Sequence, residues 1–310
     1  MYSFKIYLNK PEENWIVDRL YEEWYENNSE CSTKDFNEAN IVWIISPWAF
    51  DNISKNELKN KKVVCTIHHI DFDKFNLFEK IRFKNLDRFV DLYHVISDPT
   101  EKSLKKITNK PIWNNPWWID SKKWFHIPEK FLLRKEFEID SDKFLIGSFQ
   151  RDTEGKDLKS PKLSKGPDRL IEIILLFKEK HDELEVVLSG TRRQYLLEKL
   201  KKHNINVHYF ELVDDLTLNK LYNVLDLYVV SSRVEGGPQA IYECSIAKVP
   251  IISTNVGVAN KFLHDDSIFE MDNVLSAKTN IEHSYKVIQS QKIPNGFKPF
   301  LDKLENFVKS

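Results

Sequence analysis

The chain has 310 residues, room for two domains of ordinary size, and its 41% apolar and 13% aromatic content argues for packed cores and against disorder. Its 46 basic residues balance 47 acidic ones for a net charge of −1, so nothing in the overall charge calls for nucleic acid as a partner. Cys31, Cys65 and Cys244 are odd in number and form no Cys-x-x-Cys pair, which excludes a disulfide framework or zinc ribbon and fits a cytoplasmic setting.

The opening MYSFKIYLNK enters a strand-like run and lacks the basic, apolar and cleavage regions of a signal peptide. Phe4 to Leu8 alternates as a first strand, and Trp15, Leu20 and Trp24 fall at near-helical spacing within Glu12 to Asn27. Strands are expected over Ile41 to Ser46, Lys62 to His69 and Leu92 to Ser97, the last followed by a helix that Asp98 caps and Pro99 opens. The apolar run from Ile41 is far shorter than the roughly 20 residues of a membrane span. Lys74 to Phe89 is aromatic and basic, with Phe78, Ile81, Arg82, Asn85 and Phe89 on one helical stripe. Packing into the domain is the first expectation for that stretch, and peripheral contact with the inner face of an anionic membrane the second. Lys110 to Phe125 holds too many turn formers for a helix and reads as the approach to a hinge. All eight tryptophans lie within the first 124 residues, which suggests a boundary near residue 128.

The second half repeats the alternation. Phe144 to Gln150 is a strand, Arg151 to Gly166 a polar loop, and Pro167 opens a helix with an apolar stripe of Leu170, Ile171, Ile174 and Phe177. Strands over Leu184 to Gly190, Val207 to Phe210 and Ser267 to Glu270 are interleaved with helices over Arg193 to His203, Thr217 to Val224, Thr279 to Gln289 and Gly296 to Val308. Strands alternating with helices imply doubly wound parallel sheets in both halves.

The most informative stretch is Val229 to Val258, VVSSRVEGGPQAIYECSIAKVPIISTNVGV. Two short β-branched runs, suited to buried parallel strands, flank a Gly236-Gly237 loop and a helix that Pro238 can open at its first position. Such a strand, loop and helix start forms an anion cradle, because free amides and the helix dipole face the ligand. Glu235 precedes the helix and Glu243 lies inside it on an apolar surface, where it needs either a neighbouring Arg or backbone amide, or the hydroxyls of a ligand. Arg151 and Lys165 sit at strand-end loops where two cations could neutralise a diphosphate. His68 and His69 end the third strand, and Asp71-Phe72-Asp73 beside them is a weak candidate for a divalent cation.

Two glutamates separated by seven residues, with Gly-Gly-Pro after the first and VPIISTNVG beyond, closely resemble the donor-site signature of retaining GT-B glycosyltransferases, glycosyltransferase family 4 in particular. The resemblance implies two Rossmann-like domains facing a cleft: an acceptor-side domain over residues 1–128 and a donor domain over 129–295, with the helix near 296–310 packing back onto the first. It further implies transfer of a sugar from a nucleotide diphosphate sugar, UDP- or GDP-type, to a hydroxyl of a glycan, glycolipid or other acceptor, without a metal or cofactor. Glu235 would orient the sugar and Glu243 the ribose. Gly236, Gly237, Pro238, Gln239 and Gly190 would line the donor, Arg151 and Lys165 would meet the diphosphate, and His68 would face the reaction centre. The family's Gly-Gly pair after the first strand is replaced here by NKPEENW, with Asn14 or Trp15 as substitutes. An epimerase or hydrolase on the same fold, or an idle nucleotide-sugar-binding module, is the alternative.

Overall fold

The computed structural model describes residues 2–10 and 16–309. Asn14 and Trp15, the suggested substitutes for the glycine pair, lie outside the described residues. The chain divides into two compact units, Met1–Trp118 with Ile293–Ser310, and Ile119–Lys292. Sequence placed a boundary near residue 128. Residues just past Trp118 are tied to the second unit instead: the amides of Phe125 and Ile127 donate to the side chains of Asn219 (3.3 Å) and Asn223 (2.8 Å).

Unit 1 holds strands β1 (Ile6–Asn9), β2 (Ile41–Ile44), β3 (Lys62–Ile67), β4 (Leu92–Val95) and β5 (Ile112–Asn114), with helices α1 (Ile16–Asn27), α2 (Leu77–Asp87) and α3 (Asp98–Leu104). The sheet is parallel in the order β1-β2-β3-β4-β5. Strand β5 falls in the segment read as a turn-rich approach to a hinge. Pro111 and Pro116 confine it to three residues at the sheet edge, where a missing N–H is tolerated. The order alone would put every right-handed crossover on one face. It does not, because Ser32 bridges Ile6 in parallel on the outer side of β1. The chain therefore steps outward through α1, returns past Phe36 against Tyr7, and reverses its winding at β1. One face, with Val42, Ile44, Val63, Cys65, Tyr93 and Val95, packs on Phe50, Leu86 and Leu104. The other is aromatic, with Trp43 against Trp24 and Trp117.

Unit 2 holds α4 (Lys130–Glu136), β6 (Phe144–Ser148), α5 (Pro167–Lys178), β7 (Leu184–Ser189), α6 (Gln194–Lys202), β8 (Val207–Phe210), α7 (Asp215–Asn223), β9 (Leu227–Val230), α8 (Gln239–Ala247), β10 (Ile251–Thr254), α9 (Ala259–Phe262), β11 (Ile268–Phe269) and α10 (Ile281–Ile288). The six-stranded parallel sheet runs β11-β10-β9-β6-β7-β8, so the winding reverses between β6 and β9. Helices α5 and α6 bury Leu170, Ile173, Ile174, Leu196 and Leu200 against Ile146, Val186, Leu188 and Val229.

The final helix, α11 (Lys298–Lys309), belongs to unit 1. Its Phe300 is fully buried and stacks on Trp117 (5.8 Å, 3°) and Trp43 (5.6 Å, 27°). Among the described residues no helix is long and apolar enough to cross a membrane.

Candidate active site

In an open parallel sheet a ligand crevice opens beyond the strand ends where the winding reverses. In unit 2 that place lies past β6 and β9. The chain leaving β6 makes a short antiparallel excursion, bridged at Thr153 and Pro161 and closed by the Lys162 amide on the Asp152 carbonyl (2.8 Å). It returns beside the loop after β9, where the amides of Arg233 (2.8 Å) and Val234 (3.1 Å) donate to the Ser164 carbonyl. Gly166 makes this approach possible: its φ is +63°, and a Cβ there would lie 2.0 Å from the Ser231 carbonyl oxygen.

These two loops bring Lys165 and Glu235 together as an ion pair, with side chains 22% and 9% exposed. Gln150 spans both loops. Its amide donates to the Lys165 carbonyl (3.0 Å), and the Ser232 hydroxyl lies 3.3 Å from its Oε1 and 3.4 Å from Glu235 Oε1. The loop after β10 completes the wall. Thr254 Oγ1 donates to the Ser232 carbonyl (2.7 Å), and Gly257, at φ +56°, fits where a Cβ would lie 2.5 Å from the Gly236 carbonyl oxygen.

Pro238 is the N-cap of α8 and Gln239 its first helical residue, so the helix begins one residue later than expected. Among the described residues the amides of Gly236 and Gly237 meet no hydrogen-bond acceptor. They sit at a helix N-terminus, where the dipole favours an anion. Glu243 is 4% exposed and accepts a hydrogen bond from the Tyr222 hydroxyl (2.7 Å) on α7. That phenol is one partner of the helix carboxylate. Burial and the adjacent Glu243 push the Tyr222 pKa well above its ordinary range.

Among the described residues Arg151 is exposed and without a hydrogen-bond or ion-pair partner, and a buried guanidinium at this end of the sheet is Arg193, which is 0% exposed. Arg193 donates to the Ser148 carbonyl (2.8 Å) and its Nε lies 3.5 Å from Asp152 Oδ2, while among the described residues Nε and Nη1 meet no hydrogen-bond partner. Asp152 accepts from the first amides of α6, Tyr195 (3.3 Å) and Leu196 (3.4 Å). Desolvation pushes its carboxyl up to about 6, against the opposing pull of Arg193. Gly190 directly follows β7 with φ +88°, its carbonyl accepting from Tyr209 (3.1 Å).

In unit 1, His68 follows β3 directly. Its Nε2 is 2.9 Å from the Ile45 carbonyl and 3.2 Å from Ser46 Oγ. The carbonyl partner identifies Nε2 as the protonated nitrogen and leaves Nδ1 as an acceptor. Burial lowers its pKa to about 4, so the imidazole is neutral at physiological pH. Asp71 Oδ1 accepts from the Asp73 amide (3.2 Å), an ordinary turn contact. Among the described residues no group of three His, Cys, Asp or Glu side chains converges.

Residues 134–292, just over half of the chain, match the family described as glycosyl transferases group 1. The chain belongs to this family. The whole chain also shares its fold with solved structures. An Anabaena protein, Alr3699/HepE, crystallised with UDP and glucose, superposes with a TM-score of 0.77 over 98% of this chain and 100% of its own, at 13% identity. Sucrose-phosphate synthase from Thermosynechococcus elongatus gives 0.69 over 97% and 79%, at 12% identity. TarM, an S. aureus protein, gives 0.63 over 95% and 57%, at 16% identity. No curated protein matches the sequence. At such identities the likeness establishes the fold: two Rossmann-like domains of the GT-B type.

Within this group 1 glycosyltransferase, sequence reasoning missed Gln150 and Arg193. Gln150 directly precedes the Arg151 that was singled out, and a strand-end amide carries no motif. Arg193 sits in the tandem Arg192-Arg193, where only burial separates the structural cation from its neighbour.

Proposed function

We propose that the protein is a retaining, family 4-type glycosyltransferase that moves a sugar from a nucleoside diphosphate sugar to a hydroxyl of a glycan or glycolipid. The observation that carries this reading is the Lys165–Glu235 pair at the winding reversal of unit 2, beside the unpaired amides of Gly236 and Gly237. Lys165, those amides and the α8 N-terminus would neutralise the diphosphate without a metal, with Arg151 a second cation on the same loop. Glu235 would accept hydrogen bonds from the sugar, and binding would draw Lys165 onto phosphate. Glu243 would take the ribose, and Gly190, Pro238 and Gln239 would line the nucleoside side. His68, as a neutral acceptor at Nδ1, would bind a sugar hydroxyl. The acceptor oxygen then bonds to the anomeric carbon on the face from which the diphosphate leaves, and a departing phosphate oxygen takes the acceptor's proton. The protein supplies position and charge stabilisation. Alr3699/HepE structures hold UDP and UDP-glucose, which favours a uridine donor here.

Calorimetry with UDP tests the site. Lys165→Ala is expected to weaken binding by about tenfold or more, since a charge-assisted phosphate contact contributes roughly 1.5–3 kcal/mol. Unchanged affinity in a folded variant would remove Lys165 from the donor site.

A further inference from the structure

Helix α2 is apolar on two sides. Its inner side buries Leu86 and packs Phe83 against the sheet. Its outer side exposes Leu77 (73%), Phe78 (70%) and Ile81 (52%), and Phe72 (43%) stands just before the helix. Among the described residues of unit 1 the only other large hydrophobic side chain so exposed is Tyr2, so this is a cluster and not scatter.

The charges around the cluster have one predominant sign. Lys80 and Lys84 are exposed one turn apart on the outer side, Arg88 is exposed just beyond the helix, and Lys106 lies over the Phe72 ring at 5.3 Å. Of the acids nearby, Asp87 turns inward to Tyr93 (2.9 Å) and Thr108 (2.7 Å), and Asp51 is paired with Arg82 (2.9 Å). Glu79 is half-buried in the first turn, which leaves Asp73 as the exposed acid before the helix. A lysine-flanked stripe of Leu, Phe and Ile has the chemistry of a helix lying in a lipid interface: apolar side chains enter the acyl boundary and ammonium groups meet phosphates. A second copy of the chain is a poor occupant, because a two-fold contact through this face would set Lys80 and Lys84 against themselves.

We propose that the outer face of α2, through Leu77, Phe78, Ile81, Lys80 and Lys84, docks the protein onto an anionic lipid surface. This stands independently of the donor-site reading. Co-sedimentation with vesicles tests it. The protein should pellet with phosphatidylcholine vesicles containing phosphatidylglycerol, not with phosphatidylcholine alone, and binding should fall as salt rises. Both the Leu77→Ser, Phe78→Ser, Ile81→Ser variant and the Lys80→Glu, Lys84→Glu variant should lose about tenfold in bound fraction while unfolding at the wild-type temperature. UDP binding is measured on the same preparations, so a failed donor site and a failed lipid dock give different results. Equal pelleting of wild type and variants, no pelleting with either vesicle, or a wild-type dimer in light scattering that the serine variant dissolves would each overturn the proposal.

Discussion

Gly166 is held by two constraints, a left-handed backbone and the Ser231 carbonyl oxygen 2.0 Å from where a Cβ would be. Gly166→Ala should therefore destabilise by about 2–4 kcal/mol and displace Lys165, read as a lowered urea midpoint together with weakened UDP binding. A loss below about 1 kcal/mol would show that the loop absorbs the change. His68 makes a pH-dependent contribution whose sign follows from its lowered pKa. Between about 4 and its ordinary value of 6.5, the unfolded chain takes up a proton that the folded one does not. Stability held above pH 6.5 is lost as pH falls toward 4, by up to about 3 kcal/mol. Asp152 opposes this, since with its carboxyl raised to about 6 the folded state gains relative stability as pH falls through that value. The wild-type profile alone cannot separate them. In His68→Asn the urea midpoint at pH 5 should rise relative to that at pH 7, compared with wild type, because Asp152 is then unopposed; an unchanged difference between the two pH values would refute the burial account.

At the scale of elements, α11 is the part of unit 1 most distant in sequence from what it covers. Phe300→Ala removes a ring packed against both Trp43 and Trp117 and should cost about 3–5 kcal/mol, measured by chemical denaturation with tryptophan emission. Strands β6, β7, β9 and β10 were legible because buried parallel strands read as unbroken β-branched runs. Strand β5 was not, because its three residues between prolines carry no period. The Lys165–Glu235 meeting was legible as two candidates at strand ends, since topology alone sends both loops to the same crevice. What paired them, the tight contact at Gly166, is a distance between residues far apart in sequence, and no local pattern encodes it. Glu243 shows the reverse: sequence identified the buried carboxylate, while its Tyr222 partner on another helix could be found only in three dimensions.

For the whole molecule, the reading of a donor site neutralised by Lys165 and helix amides predicts that sugar transfer continues at an unchanged rate in EDTA. Loss of activity restored by Mn²⁺ would assign that neutralisation to a metal. The chain's route also has a consequence for how it comes into being. Unit 2 is one unbroken segment, Ile119–Lys292, whereas unit 1 is assembled from the first part of the chain and the last. During synthesis, unit 2 can complete its sheet while Trp43 and Trp117 still await Phe300. The aromatic face of the first sheet is then the last surface to be sealed, and a ribosome stalled before α11 would leave the earlier-made half as the unfinished one.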